Sequence, residues 1–179
     1  MTETLQGKRI AVVATNGFED SELSSPAEAV REAGGEVVIV STETGAPIEG
    51  KNGTKVDVDL SSADAKDQQF DGILLPGGTG NADHIRMDKD AVALVKAHVQ
   101  ADKPLGVICH GAWILTDAEV LSGRTLTSYP SLRKDLENAG ATWVDEECHC
   151  DQGLVSSRTP DDLPAFNAKV VEEFAEGQH

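Results

Sequence analysis

The chain has 179 residues, with 15 Lys and Arg against 31 Asp and Glu, a formal net charge of −16. Its length points to one compact domain spanning residues 1–179. The acid excess argues against binding nucleic-acid backbone or an acidic membrane surface, since both need clustered Lys and Arg. Hydrophobic residues make up 39% of the chain and come in blocks, which excludes a disordered chain. Three cysteines cannot all pair within one chain, so no disulfide scaffold is expected. Residues 1–8 carry no basic stretch followed by an apolar run, and no apolar stretch approaches the ~20 residues that span a bilayer. These features predict a soluble, cytoplasmic chain with reduced thiols.

In chain order, residues 8–15 are apolar without alternation and predict a strand buried on both faces. A helical pattern follows from about Glu22 through Leu23, Ala27, Val30 and Ala33, stopped by Gly34-Gly35. Residues 36–40 form a second apolar strand, which makes a βαβ unit with parallel neighbours. Turn residues fill 41–60, and Asn52-Gly53 beside an alternating run predicts a small exposed hairpin. Buried strands are predicted at 70–76 and 104–108, with a helix from about Lys89 between them and another beginning at Ala112. Ser131 is a candidate cap for a helix ended by Gly140. Strands follow near 143–145, 147–150 and 154–157, then a last helix from Asp161 or Asp162 through Phe174. The pattern is an α/β domain, a mostly parallel central sheet with helices on both faces.

Ligands of such sheets bind beyond the carboxyl ends of the strands. Three loops there hold unusual residues: Gly17-Phe18-Glu19-Asp20, Pro76-Gly77-Gly78 and Cys109-His110-Gly111. A free Cys at a strand end is commonly inert packing. Cys109, however, sits at a strand-to-helix junction, where a helix N-terminus favours a thiolate, and Gly111 permits a sharp turn. This resembles a nucleophile elbow, with Val107 where that motif has its first glycine. His110 could activate the thiol or simply pair with a carboxylate. Gly77-Gly78 could be a plain turn or could aim backbone N–H groups at an oxyanion. Glu19, near a helix start, is equally readable as a macrodipole partner.

Together, Gly17-Phe18-Glu19-Asp20, Ile73–Gly78, Val107–Gly111 and Ser157–Pro164 closely resemble the ThiJ/PfpI family of the class I glutamine amidotransferase-like superfamily. The likeness runs from about Lys8 to Phe174 and is strongest to the PfpI-type intracellular protease and general stress protein branch. It implies a flavodoxin-like three-layer α/β sandwich that dimerises, with hexamers as a further assembly. It also implies Cys109 as nucleophile, His110 beside it, and Glu19 as a buried acid hydrogen-bonded to the thiolate. Gly78 and the His110 amide match the oxyanion positions, in a site bounded by Gly77 and Gly111. Asp83 matches the acid that reaches the histidine from a neighbouring subunit, with a side chain one methylene shorter than the family's Glu. Residues 147–151 depart from the family's apolar strand. Cys148 and Cys150 share one strand face and His149 takes the other; they lack a full ligand set, so they read as core substitutions. No metal and no cofactor are expected.

The resemblance leaves two functional classes open. One is a cysteine-dependent enzyme, a glyoxalase or deglycase acting on small aldehydes or glycated substrates, or a peptidase acting on peptides. The other is a redox-sensing or chaperone stress protein whose cysteine is oxidised without obligatory turnover.

Overall fold

The computed structural model describes residues 4–178. Strand β1 (Arg9–Val13) leads through a loop into helix α1 (Asp20–Glu32) and back into β2 (Glu36–Ser41). The hairpin β3 (Ile48–Glu49) and β4 (Lys55–Val56) comes next, then β5 (Leu60–Ser61) and α2 (Ser62–Ala65). Strand β6 (Gly72–Leu75), helices α3 (Thr79–Ile85) and α4 (Lys89–Gln100) and strand β7 (Leu105–Ile108) build the centre. A 3₁₀ turn over Cys109–Ala112 enters α5 (Trp113–Asp117). The chain ends with β8 (Thr125–Leu126), α6 (Arg133–Asn138), β9 (Thr142–Trp143), β10 (His149–Asp151), β11 (Leu154–Ser157) and α7 (Leu163–Glu176).

Seven strands form the main sheet in the order β10-β11-β7-β6-β1-β2-β5, parallel throughout except for the β10–β11 edge. This is the mostly parallel sheet expected, and the order explains where function gathers. Strands β7, β6 and β1 are adjacent, so the three loops leaving their carboxyl ends meet at one point. Alternate strand residues divide the core into two apolar layers. Val13, Val40, Leu75 and Val107 pack with Leu94, Val95, Ile114 and Leu115 from α4 and α5. Ile10, Val12, Ile39 and Leu74 pack on the other face with Leu23 and Val30 of α1 and Phe166, Val170 and Phe174 of α7. Among the described residues, no helix is long and apolar enough to cross a membrane.

Two local features differ from the sequence pattern. Thr79–Ile85 is helical, where no element is predicted; its buried Ala82 and Ile85 pack inward and outweigh weak helix propensity. Helix α6 begins at Arg133 after a 3₁₀ turn, so Ser131 does not cap it. The β3–β4 hairpin forms as expected, with Ile48 opposite Val56, but it is strapped to the chain around α1. Asp20 accepts hydrogen bonds from Asn52 N (2.9 Å) and Thr54 N (2.9 Å), while Lys51 N donates to Phe18 O (2.9 Å).

Two strand glycines serve close packing of α7. A Cβ on Gly72 would lie 2.7 Å from the Phe174 ring, and one on Gly106 would lie 2.8 Å from Val170 Cγ2. Both are far inside the ~3.5–4.0 Å of ordinary carbon contacts. We therefore expect Gly72→Ala to destabilise the protein by about 1–3 kcal/mol in urea denaturation, because overpacking exceeds the unfolded-state gain of about 0.4–1 kcal/mol from losing a glycine. Combined with Phe174→Leu, it should cost less than the sum of the two single changes.

Candidate active site

Cys109 occupies a sharp turn at the end of β7. Its φ of 61° is left-handed, a conformation costing about 1–2 kcal/mol for a residue with a Cβ. Neighbouring structure holds it there: Tyr129 N donates to Cys109 O at 3.2 Å. Gly111 lets the elbow press on the end of β6, since a Cβ there would stand 2.4 Å from Leu75 O. The thiol is reached only narrowly, the residue being 9% exposed. His110 turns back toward it, with Nδ1 3.4 Å from Sγ. Its ring stacks on Tyr129 at 4.7 Å and meets Trp113 edge-on at 5.4 Å. Burial, aided by the Lys51 charge, holds the imidazole below its usual range, so it is neutral near pH 7 and can take the thiol proton.

The carboxyl beside the thiol belongs to Glu22, not Glu19. Glu22 is buried in the first turn of α1, where Oε1 accepts from Gly77 N at 3.0 Å and the carboxyl interacts with the Cys109 thiol. Burial first, and then the Glu19 charge, push it up to about 7. Glu19 stands at the N-cap position and forms an ion pair with Lys51. The helix explains the exchange, because its side chains tilt toward the N-terminus and one turn separates the inward face from the rim.

Burial and the facing Glu22 carboxylate also push Cys109 up to about 12. That reverses the acidic thiol expected from a helix N-terminus, and α5 is only a five-residue helix. Burial and the Glu22 charge raise the thiol, whereas Glu22 is raised by burial and the Glu19 charge and lowered by the thiol, so the pair retains a proton through the neutral range. A thiolate at Cys109 accordingly requires Glu22 to be the proton holder. The N–H groups of Gly78 and His110 act on the sulfur in the favourable direction.

The glycine loop is shaped by these two groups. Gly77 donates to Glu22 and so is not an oxyanion donor; a Cβ on it would lie 2.3 Å from Glu22 Oε1 and 2.7 Å from Cys109 Cβ. Gly78, at φ 92°, starts α3 with its N–H toward the sulfur. Asn81, unremarked in the sequence, anchors the loop: Oδ1 accepts from Thr15 N at 2.7 Å, and Nδ2 donates to Pro76 O and Gly77 O at 3.1 Å each. Asp83 lies exposed on α3, and among the described residues no hydrogen bond or ion pair holds it. The Ser157–Pro164 segment locks β11 to α7 instead of reaching the thiol: Arg158 donates to Asp162 through N, Nε and Nη2 and to Asp145 through Nη1. Cys148 and Cys150 pack against one apolar layer, while His149 Nδ1 meets Glu146 Oε2 at 2.8 Å. A cavity of about 490 Å³ lies at the opposite end of the strands, against Leu105 and Leu154, and holds none of this chemistry.

A neutral His110, the buried Glu22 carboxyl and two N–H donors thus surround one cysteine at the carboxyl ends of a doubly wound sheet, a candidate nucleophile site. Comparison with known proteins agrees: residues 8–173 match the model of the DJ-1/PfpI family, and the chain belongs to that family. It is 48% identical over 167 residues to General stress protein 18 of Bacillus subtilis, covering 92% of this chain and 96% of the relative. It is 45% identical over 164 residues to another B. subtilis protein, named "Putative cysteine protease YraA", again covering 92% and 96%. The crystal structure of Drosophila melanogaster DJ-1beta superposes with a TM-score of 0.87 at 28% identity, covering 94% of this chain and 90% of that one. The flavodoxin-like sandwich expected from the resemblance is thus the observed fold.

A raised carboxyl has a measurable thermodynamic signature. Between 4.5 and about 7 the folded chain binds the Glu22 proton that the unfolded chain has released, so stability falls as pH rises through this window. Glu22→Gln should therefore be more stable than the parent at pH 8 by about 3 kcal/mol, with the difference vanishing near pH 4.5. Urea denaturation of both proteins at the two pH values measures it.

Proposed function

We propose that this chain is a cysteine-dependent enzyme of the PfpI stress branch that acts on small reactive carbonyl compounds, in the manner of a glyoxalase or deglycase. The carrying observation is the buried Cys109–Glu22 pair beside the neutral His110. In the reaction, Sγ bonds the aldehyde carbon while the C=O π electrons move to oxygen, in reach of the Gly78 and His110 N–H groups. The proton held between Glu22 and Cys109 passes to that oxygen, giving a hemithioacetal. With a 2-oxoaldehyde, His110 or Glu22 moves the proton from the former aldehyde carbon to its neighbour while the hydroxyl proton passes to the neighbouring oxygen, giving a 2-hydroxy thioester. Water then cleaves the C–S bond, releasing a 2-hydroxy acid and restoring the thiol. The net change is addition of one water.

The peptidase reading draws support from the name of the YraA relative. A thiol on a residue only 9% exposed suits a small aldehyde better than a peptide backbone. We further propose that the 1–179 unit is a single cytoplasmic domain that works as a homodimer or an assembly of dimers, with Asp83 orienting His110 across the twofold axis.

Purified protein should convert methylglyoxal to lactate, and Cys109→Ser should lower the rate at least about 100-fold. Oxidation of Cys109 by peroxide with no methylglyoxal consumed would replace this reading with a redox role. For the interface, mixing inactive Asp83→Ala with inactive Cys109→Ala should restore activity, because a heterodimer holds one intact site. Confirmed subunit exchange with no recovery would remove Asp83 from the partner's site.

A further inference from the structure

In a chain with a net charge of −16, a cation held beside the thiol is a local exception. Lys51 lies in the loop of the β3–β4 hairpin, and its charge acts on Cys109, Glu22 and His110. The hairpin does not need that side chain to stay in place. Backbone bonds close it, Gly50 N to Thr54 O at 2.8 Å, and others fasten it to the β1–α1 loop, Gly17 N to Glu49 O at 2.8 Å. Asn16 Oδ1 accepts from Glu49 N at 2.8 Å, and Asp20 grips the far side as described above. What the scaffold fixes is the backbone carrying Lys51, while among the described residues the ammonium is ion-paired with Glu19 alone.

Glu19 in turn is joined to the glycine loop. Its N–H donates to Gly77 O at 3.1 Å, and a Cβ on Gly78 would stand 2.6 Å from Glu19 N. The Lys51–Glu19 pair therefore borders the N–H groups proposed to receive the carbonyl oxygen. Lys51 is 53% exposed and Glu19 16%. The ammonium side of the pair therefore stays in reach of water and of a second anion, and an ion pair with so exposed a partner is weak.

We propose that Lys51 is a carboxylate-binding residue of this site, and that the preferred substrates are aldehydes carrying a carboxylate next to the reacting carbonyl. Glu19 is the internal anion that keeps Lys51 turned to the site and yields to the incoming carboxylate. The proposal rests on the carbonyl reading for its substrate class; the cation's selectivity is measurable without any turnover.

The test compares alkylation of Cys109 by anionic iodoacetate and neutral iodoacetamide. The ratio of the two rates divides out the thiolate fraction, so a variant that only shifts the thiol leaves it unmoved. We expect Lys51→Gln to lower the ratio about fivefold or more, the effect of one unit charge at contact distance in water, and Lys51→Arg to keep it. Glu19→Gln should raise it, since the cation is then uncommitted. High salt should bring the parent ratio toward that of Lys51→Gln. In a second arm, sodium glyoxylate and methylglyoxal compete with iodoacetamide for Cys109. Lys51→Gln should weaken protection by glyoxylate about fivefold and leave protection by methylglyoxal unchanged. Ratios within about twofold of the parent in both Lys51→Gln and Glu19→Gln overturn the proposal, as does equal weakening of protection by both aldehydes. If neither aldehyde protects Cys109, the carbonyl reading fails while the alkylation ratio still decides whether Lys51 selects anions.

Discussion

Glu22 and Cys109 are two acids buried against each other, and the site is organised by the fact that they cannot cheaply both ionise. Everything around them either permits the contact or manages its charge. Gly77 permits it, because a single methyl group there would occupy the space between carboxyl and sulfur. The Gly77 N–H satisfies one carboxyl oxygen, and the other has no hydrogen-bond partner among the described residues, which leaves it available to carry the proton. The N–H groups of Gly78 and His110 supply positive potential without a mobile charge, so the negative sulfur of a thiolate is met by dipoles already in place. An arrangement of this kind works against stability: a left-handed cysteine and a buried carboxyl both cost free energy. Two apolar layers, one on each face of the sheet, offset it.

Much of this was legible in the sequence. The apolar blocks that became β1, β2, β6 and β7 announced themselves, because a strand covered on both faces has no polar alternation. Cys-His-Gly directly after such a block marked Cys109 as the candidate nucleophile. The identity of the buried acid was misread, although a signal for it existed. Glu22, Pro26 and Val30 recur at i, i+4 and i+8, and all three are buried. An acid in the middle of an inward stripe is a stronger anomaly than Glu19 at the helix entrance, where acids are ordinary.

Other features had no local signature. The acidity of Cys109 depends on which carboxyl faces it, a consequence of α1 packing against β1, β2 and α7 rather than of the Cys-His-Gly segment. Asn81 reads as a turn residue, yet it is buried because a short helix follows the glycine pair and turns its amide onto Thr15, Pro76 and Gly77. Lys51 is 58 residues from Cys109 in number, and its charge acts there because Asp20 and the Phe18 carbonyl hold the hairpin down. Contacts of this kind belong to topology.

The same topology reconciles an acidic protein with a site for anions. Long-range repulsion from a charge of −16 is screened within a Debye length, about 8–10 Å in ordinary buffer, so it acts weakly on a ligand already inside the cleft. At that range the groups that matter are Glu19, Glu22 and Lys51. Glu22 is raised to about 7, so its charge is partly removed by protonation near neutral pH, and Glu19 is already matched by Lys51. The immediate surroundings of the sulfur are thus far less negative than the surface. A carboxylate that displaces Glu19 exchanges one ion pair for another, and Glu19, at the rim, can return to water. The cost of admitting an anion then falls mainly on a side chain that is easily solvated, which is why a rim pair suits this exchange better than a buried one.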